Sequence, residues 1–508
     1  MTEKAILAFD LGTTALKCAL HDLKGNVIAK ASEEYQLITP DADSVEMEVE
    51  TYWSAFKKAV AHVLKESGIN PKLIKALGVS AQGETLIVVD EKGTPLRRAI
   101  VWLDNRAQKE ADELAAHFGD RHTYEITGQV KIVPTWPASK ILWLQRNEPQ
   151  LFNRIAKFLL IEDYFLHRLT GEYVCEGSLV TSTCYWNFRT RQWWPEMLAM
   201  IGVQPHQLPQ YRESGEIVGK LRPEVAEELG LDPATIACTG ALDQACGAIG
   251  VGNIKPGIFS ENTGAALAIC ATVNQPTLDP QGQMPCHYHG LPGLYMLHTF
   301  TGGGIVLRWY RDEFARMEME VSRSSGIDAY DLLGYAAAKV PPGCEGLVML
   351  PHLQGAMAPE ANPKATGVFY GFTLRHGRNH FVRSIMESVG FVVRRNIEVI
   401  EGMGVPVNEI RALGGGARSR IWKQIEADIT GRPVITTENE EAATLGAAIL
   451  AGKAVGIYSG VEEAVSQMVR IKDRFDPTAE NKKIYDGAFE TYIGLYDSLC
   501  SLFEKSKA

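Results

Sequence analysis

Two short strand–turn–strand segments, one in each half of the chain, constrain its fold more than any other feature. In the first, the apolar run at residues 5–10 is followed by a small polar turn at residues 12–14 and a second apolar run at residues 16–20. In the second, an apolar run leads into a similar turn at Thr263 and Gly264. Gly-Thr turns between apolar runs are typical of β-hairpins, and their backbone N–H groups and hydroxyls can bind phosphate. The repeat suggests one phosphate-binding hairpin used twice, although so short a similarity does not by itself establish a duplication.

Strands and helices alternate along the rest of the chain, which favours an α/β fold. At 508 residues the chain is too long for one compact core, so two domains of about 250 residues each are expected. Because no long linker separates the halves, the two domains should share a tight interface. Apolar patterning predicts strands at residues 27–29, 76–80, 85–89, 99–103, 236–240 and 409–413, and helices at residues 51–65, 243–252, 379–403 and 418–430.

Composition argues against several classes of protein. The net charge of −10 argues against a broad nucleic-acid-binding surface, which needs clustered positive charge. No apolar run is long enough to span a bilayer, and the N-terminal residues lack the plan of a signal peptide. The nine cysteines form no CxxC pair, so free thiols in a reducing compartment are expected, and Cys286 with His287 and His289 is not expected to bind zinc. The predicted location is the cytoplasm.

Asp10 stands at the end of the first apolar run, directly before the polar turn. A carboxylate in this place can hold Mg²⁺, directly or through water, while Thr13 and Thr14 offer donors to a phosphate. Lys17 follows three residues after the turn. An ordinary hairpin turn rich in small residues explains the same local pattern equally well. The turn alone therefore does not decide between a phosphate site and a simple connection.

Two further segments carry chemistry. Residues 414–416 are three consecutive glycines between a predicted strand and helix, where the backbone can approach a ligand closely, although a flexible connector is the alternative. Asp243 opens a predicted helix near the centre of the chain. On local sequence it fits a helix cap or a first-turn charge better than a catalyst. Asp243 is a candidate catalytic residue because it stands where two domains would meet around a cleft.

Taken in order, these motifs resemble those of the FGGY family of carbohydrate kinases, within the superfamily of sugar kinases, heat-shock chaperones and actin. The resemblance covers nearly the whole chain, and so many ordered matches make it highly specific. The matching segments are residues 10–14, 45–53, 101–106, 127–144, 163–171, 243–244, 367–388 and 413–422.

The resemblance implies two ribonuclease-H-like domains of the actin-like ATPase type, each with a mixed five-stranded sheet flanked by helices, and a ligand cleft between them. Residues 1–245 would bind the sugar and catalyse, and residues 246–508 would bind ATP. Asp243 would be the general base and, with Asp10, a ligand of Mg²⁺. The expected sugar contacts are Gln82, Gly83, Glu84, Asp104, Thr135, Asp243 and Gln244. The expected nucleotide contacts are Gly12, Thr13, Thr14, Lys17, Thr263, Gly264, Gly304, Arg308, Gly415, Gly416, Ala417 and Arg420.

Within the family, the chain resembles the xylulose kinases most, through residues 286–293 and 308–309. The segment at residues 80–85 departs from their pattern. Glu84 there matches a glutamate of glycerol kinases, whereas Gly83 lacks the arginine of those enzymes and the xylulose-kinase histidine is missing. Thr135 stands where glycerol kinases have a tyrosine. Leu353 to Met357 replace a third motif of many relatives.

The expected acceptor is therefore a ketopentose such as D-xylulose, with glycerol or a tetritol as the alternative. Two rival classes share the fold. A non-catalytic sugar sensor would be expected to lose Asp10 or Asp243, and both are present. A chaperone or filament-forming ATPase would lack the sugar signatures of the first domain. Neither nucleic acid nor a membrane is an expected partner, and a homodimer remains open.

Overall fold

The computed structural model describes residues 4–505. Residues 1–3, which entered the localisation prediction, and residues 506–508 lie outside this range. The strands are β1 (Ala5–Leu11), β2 (Ala15–Asp22), β3 (Val27–Glu34), β4 (Glu46–Met47), β5 (Ile74–Ala81), β6 (Leu86–Val89), β7 (Ala99–Ile100), β8 (Lys157–Leu160), β9 (Val174–Glu176), β10 (Trp186–Asn187), β11 (Gln192–Trp193), β12 (Gln210–Arg212), β13 (Ile217–Lys220), β14 (Ile236–Cys238), β15 (Ala241–Leu242), β16 (Gly257–Thr263), β17 (Ala266–Val273), β18 (Cys286–Tyr288), β19 (Tyr295–Gly302), β20 (Val348–Leu350), β21 (Val368–Tyr370), β22 (Val407–Leu413), β23 (Val434–Thr437) and β24 (Ile471–Phe475).

The helices alternate with these strands, as predicted for an α/β chain. They are α1 (Val49–Ser67), α2 (Gln108–Phe118), α3 (Asp120–Thr127), α4 (Pro137–Asn147), α5 (Pro149–Phe152), α6 (Ile161–Thr170), α7 (Gly177–Val180), α8 (Pro195–Ile201), α9 (Pro223–Leu229), α10 (Asp243–Gly250), α11 (Gly304–Phe314), α12 (Arg316–Ser325), α13 (Ala329–Ala338), α14 (Arg378–Gly402), α15 (Arg420–Thr430), α16 (Ala442–Ala454), α17 (Val461–Met468) and α18 (Ala479–Phe503).

The two large sheets share one topology. In the first, the order β3-β2-β1-β5-β14 combines two antiparallel pairs with two parallel pairs. In the second, β19-β17-β16-β22-β23 repeats the same order and the same directions. Each sheet also carries two additional strands, so each has seven strands and contains the expected five. The shared topology supports the duplication that the two turns suggested.

Helices α10 and α16 join the two halves. Both pack in the hydrophobic core of the first sheet, which includes Ile249 and Leu445 beside Leu77. Their approach is close, because a Cβ at Gly446 would lie 1.9 Å from the carbonyl oxygen of Cys246. The tight interface predicted from the short connection is therefore present. The predicted boundary between residues 245 and 246 falls inside α10 and stays a prediction.

The strand predicted at residues 99–103 is too long. Strand β7 ends at Ile100, and the chain then turns, with the N–H of Asp104 donating to the carbonyl of Val101 at 3.0 Å. The Asp104 carboxylate accepts from the N–H of Val45 at 2.6 Å. This bond holds the turn against the segment that leads into β4. An apolar run does not by itself show where such a side-chain contact ends a strand.

The cysteine and membrane predictions can be compared with the structure. All nine cysteines are free thiols, as expected, and eight of them are buried. No helix within residues 4–505 is both long enough and apolar enough to cross a bilayer. His287 and His289 are buried, and burial lowers the pKa of His289 to about 4, partly offset by its contact with the Asn253 carbonyl.

Candidate active site

The first sheet brings Asp10 and Asp243 to the same edge. Strand β5 lies between β1 and β15, so that Asp10 is paired with Ser80, and Leu242 with Ala81. Asp243 follows Leu242 and opens α10. Because parallel strands end at the same edge of a sheet, the two carboxylates face one cleft. The Ser80 hydroxyl donates to Asp10 Oδ1 at 2.7 Å and fixes the orientation of that carboxylate.

The cleft makes both carboxylates harder to ionise. Burial raises the pKa of Asp243 to about 8, and the negative charge of Asp10 adds to the rise. Burial also raises the pKa of Asp10, while the hydrogen bond from Ser80 and the charge of Lys17 oppose it. The cleft holds a free volume of about 120 Å³. Its lining from both halves of the chain comprises Asp10, Lys17, Asp243, Gln244, Gly247, Asn262, Leu413, Gly414, Glu440, Glu441, Ala442, Ala443 and Thr444.

The donor set at this edge fits a magnesium ion bound together with phosphate. Within residues 4–505, no group of three or more His, Cys, Asp and Glu side chains is arranged to hold a metal ion alone. Mg²⁺ is usually held by one or two carboxylates, several waters and substrate phosphates. The pair of Asp10 and Asp243 matches this pattern. Lys17, predicted to contact phosphate, lies on β2 with Nζ 3.8 Å from the Glu441 carboxylate.

The first polar turn faces the same cleft from the sheet edge. The Gly12 carbonyl accepts from the Gln82 amide at 3.2 Å and from the Tyr35 hydroxyl. The Thr13 hydroxyl accepts from the indole N–H of Trp102 at 2.8 Å. Thr14 is exposed at the tip of the turn. These bonds hold the turn in place. Because the Thr13 hydroxyl only accepts here, its hydrogen remains available to a ligand.

The second hairpin is packed against two glycine segments. A Cβ at Gly304 would lie 2.3 Å from the carbonyl oxygen of Gly264, and the Gly304 N–H donates to that oxygen at 2.9 Å. A Cβ at Gly416 would lie 2.6 Å from Thr263 Cβ. The Thr263 hydroxyl donates to the buried carboxylate of Glu261, which is in turn paired with Lys423. Its hydroxyl hydrogen is therefore already used, and the Gly264 N–H likewise donates within the turn, to the Ala266 carbonyl at 2.9 Å.

A pocket beside the glycine turn lies at the ends of β22 and β23. A Cβ at Gly415 would meet only the Thr263 carbonyl oxygen, at 4.0 Å, so the turn is open to a ligand. The Thr436 hydroxyl oxygen is buried there without a hydrogen-bond partner within the described residues. The lining is Ala412, Leu413, Gly414, Ala417, Arg418, Thr436, Thr437, Asn439, Glu440 and Lys472.

Two predicted nucleotide contacts point elsewhere. Arg420 pairs with Asp473 and stacks over the Phe475 ring at 5.2 Å, whereas Arg418 lines the pocket. Arg308, on the exposed side of α11, lies 3.7 Å from the carboxylate of Asp312. Neither side chain is placed at the pocket by its contacts in this structure.

Three of the seven predicted sugar contacts, Gln82, Gly83 and Glu84, lie directly before β6. Gln82 is 2% exposed, and its Oε1 has no hydrogen-bond partner among the described residues. Gly83 fits tightly, because a Cβ there would lie 3.2 Å from Leu242 Cδ1. Glu84 has a left-handed backbone with φ of 56°. Burial raises the pKa of Glu84, and the charge of Lys140 opposes this rise.

Lys140 was missed by the sequence analysis and is central to this region. It is fully buried on α4, and its ammonium donates to the carbonyl of Glu84 at 2.9 Å and to that of Val101 at 3.0 Å. It thereby holds the strained backbone of Glu84 in place. Burial lowers the pKa of Lys140, while the charges of Glu84 and Asp104 act in the opposite direction.

Asp104 and Thr135 stand apart from this group. The Asp104 carboxylate is fully buried, and both of its oxygens accept from the Arg106 guanidinium at 2.9 Å. A sugar hydroxyl would have to share an acceptor that is already engaged. Thr135 is partly buried in the turn before α4. Gln244, in contrast, reaches across the cleft, where Asn262 Nδ2 donates to its Oε1 at 3.4 Å.

Comparison with known proteins gives consistent results. The chain is 33% identical to a gluconokinase of Bacillus subtilis over 96% of its own length and 95% of that protein. It is 31% identical to a xylulose kinase of the same organism, over 97% of each chain. A ligand-bound xylulose kinase and a gluconate kinase, both from Lactobacillus acidophilus, superpose over 99% of each chain with a TM-score of 0.89, at 28% and 27% identity.

One family model matches each half of the chain. The model for the N-terminal domain of the FGGY family of carbohydrate kinases matches residues 5–250, and the model for the C-terminal domain matches residues 268–455. Together they cover most of the chain and include the first hairpin, Asp243 and the glycine turn, whereas Thr263 and Gly264 lie between the two matches. The chain belongs to the FGGY family of carbohydrate kinases.

Proposed function

We propose that this sugar kinase transfers the γ-phosphoryl group of ATP to a hydroxyl of a small neutral sugar, with Asp243 as the base. The observation that carries the proposal is the position of Asp243. It opens α10 between the two polar hairpins, beside Asp10 and Glu84, in a cleft lined from both halves of the chain. A carboxylate with a raised pKa near the working pH is suited to accept a proton during transfer.

The remaining residues act through position and charge. The turn at residues 12–14, with the Thr13 hydroxyl, and the turn at Thr263 and Gly264 are proposed to hold the phosphates, and the glycine turn at residues 414–416 the adenosine. Mg²⁺, held by Asp10 and Asp243, would neutralise charge on the phosphates. Phosphoryl transfer has a loose transition state, so alignment of the reactants and stabilisation of charge supply most of the rate enhancement.

D-xylulose is the proposed acceptor, and glycerol or a tetritol is the second candidate. Relatives named as xylulose kinases support the first, and Glu84, which matches the glycerol kinases, favours the second. Relatives named as gluconokinases raise a sugar acid as a further acceptor. The charges disfavour it, because a bound carboxylate would meet Asp243 and Glu84 while Lys140 and Arg106 are already engaged.

A substrate panel tests this function directly. Release of ADP is measured with D-xylulose, other pentuloses, glycerol, tetritols, hexitols and gluconate, each with and without Mg²⁺. Turnover stimulated by a neutral sugar supports the proposal, and turnover only with gluconate contradicts the charge argument. Sugar-independent turnover would mark an ATPase, and none at all a sensor. In the Asp243→Asn variant, transfer should fall at least ~100-fold to a slow residual reaction while ADP still binds, and turnover retained near the wild-type rate would remove Asp243 from the role of base.

The setting of the reaction is also proposed from the sequence. A net charge of −10 and free cysteines fit a cytoplasmic enzyme whose partners are a small sugar and ATP. Size-exclusion chromatography with light scattering tests whether the protein forms a homodimer.

A further inference from the structure

Three buried acidic side chains lie behind Asp243, on the side away from the cleft. Glu162 and Asp163 begin α6, and Glu176 ends β9. All three are at most 2% exposed. Neither the sugar nor the nucleotide can reach them, and none was predicted as a site residue. Burial without a cationic partner is costly for carboxylates, so their hydrogen bonds indicate what they are retained for.

Two of these carboxylates are connected to the strand that carries Asp243. The N–H of Gly240 donates to Glu162 Oε1 at 2.7 Å. The N–H of Leu242 donates to the Ser178 hydroxyl at 2.8 Å, and that hydroxyl donates to Glu176 Oε1 at 2.7 Å. Strand β15 is only two residues long. A side chain of α7 holds the N–H of Leu242 within it, and a side chain of α6 holds the N–H of Gly240 just before it.

The connection leaves β15 little freedom. On its other side, β15 pairs with β5, and a Cβ at Gly240 would lie 1.6 Å from the Val79 carbonyl oxygen. Glu176 is itself fixed, because it also accepts from the N–H of Ser178 at 2.8 Å and from the Ser214 hydroxyl. A shift of β15 would break short hydrogen bonds in a buried environment, where unpaired groups are costly.

We propose that Glu162 and the pair of Ser178 with Glu176 are positioning residues that set the place of Asp243 relative to the bound sugar. This inference rests on the proposed role of Asp243 as the base. Glu176 accepts four hydrogen bonds, which oppose the rise of its pKa that burial causes. Burial and the neighbouring charge of Glu176 raise the pKa of Glu162, which can accept from Gly240 when neutral.

Two serine variants separate positioning from general stability. Ser178→Ala and Ser214→Ala each remove one hydroxyl that donates to Glu176, but only Ser178 touches β15. Displacing a catalytic group by about 1 Å costs on the order of 100-fold in rate. We therefore expect Ser178→Ala to lower the single-turnover rate about 10- to 100-fold with ADP affinity unchanged, and Ser214→Ala to lower it by less than about 2-fold.

A second pair and a double mutant complete the test. Glu162→Gln keeps an acceptor for the Gly240 N–H, whereas Glu162→Leu removes it, so the leucine variant should lose more activity per ADP-binding site. In an Asp243→Asn background, Ser178→Ala should slow the residual reaction by less than about 2-fold, because the group that it positions is gone.

The outcomes are distinguishable. If Ser178→Ala is no slower than Ser214→Ala while Asp243→Asn abolishes transfer, the positioning role is wrong and the proposed function stands. If Ser178→Ala slows wild type and the Asp243→Asn background equally, its effect does not pass through Asp243. If Asp243→Asn retains turnover, the proposed function fails, and this inference fails with it.

Discussion

Replacing Asp243 by asparagine should stabilise the protein, and more so as the pH rises. The pKa of Asp243 is raised to about 8 in the folded chain, while an aspartate in an unfolded chain has a pKa of ~3.9. Between these values the folded state holds a proton that the unfolded state has released. The free energy of unfolding therefore falls by ~1.4 kcal/mol for each pH unit across this window, and the loss is complete above pH ~8.

The asparagine variant escapes this loss because it does not titrate. Its side-chain oxygen can still accept from the N–H of Gln244, which lies 2.6 Å from Asp243 Oδ1, so the local hydrogen bond is kept. The gain relative to wild type should be ~1.5 kcal/mol at pH 5 and ~5–6 kcal/mol at pH 8.5. In melting temperature, the gain at pH 8.5 corresponds to a rise of about 5–10 °C.

Calorimetric melting of both proteins at pH 5, 7 and 8.5 measures this difference without a two-state assumption. Asp112→Asn, an exposed aspartate within α2, is the matched control and should shift melting equally at every pH. An advantage of Asp243→Asn that is the same at pH 5 and pH 8.5, or is absent at both, would refute the reasoning.

Three further changes follow from contacts at the site. Lys140→Met should destabilise the fold by ~1–3 kcal/mol in thermal melting, because it removes the donor to the carbonyls of Glu84 and Val101, and an unchanged melting temperature would contradict this role. Gly304→Ala should raise KM for ATP at least ~10-fold by displacing the second hairpin, while Gly487→Ala, with open space around its Cβ, should leave it unchanged. Arg418→Ala should weaken ADP binding ~5-fold in calorimetry with little effect on sugar KM, and an unchanged affinity would remove this side chain from the pocket.

Much of the fold was predictable because its signals are local. Adjacent residues determine hairpin turns, apolar periodicity and the glycine turn. For this reason the sequence predicts correctly where β1, β2, β22, α1 and α14 lie. The motif order then predicted the two-domain architecture, which the family models and superposed structures confirm.

The parts that could not be predicted depend on distant or angular relationships. Lys140 contacts Glu84 from a helix more than fifty residues away. No local sequence pattern predicts a buried ammonium on an otherwise apolar helix face. Arg418 and Arg420 are two residues apart, yet the start of α15 turns them to different sides, one towards the pocket and one towards Asp473. A side chain rotates by about 100° per residue in a helix, so an error of one or two positions moves a predicted contact out of the site.

The repeated hairpin carries a carboxylate that faces the cleft in the first half of the chain only. Aligned on Gly12 and Gly264, the two turns place Asn262 of β16 where β1 carries Asp10. Asp10 has a carboxylate suited to a metal ion, whereas Asn262 is neutral and donates to Gln244 across the cleft. A second carboxylate at that position would add a further negative charge to a cleft where burial and Asp10 already raise the pKa of Asp243 and where phosphates are proposed to bind. The same hairpin can therefore lie on both sides of the cleft because only its first copy carries a carboxylate at this position.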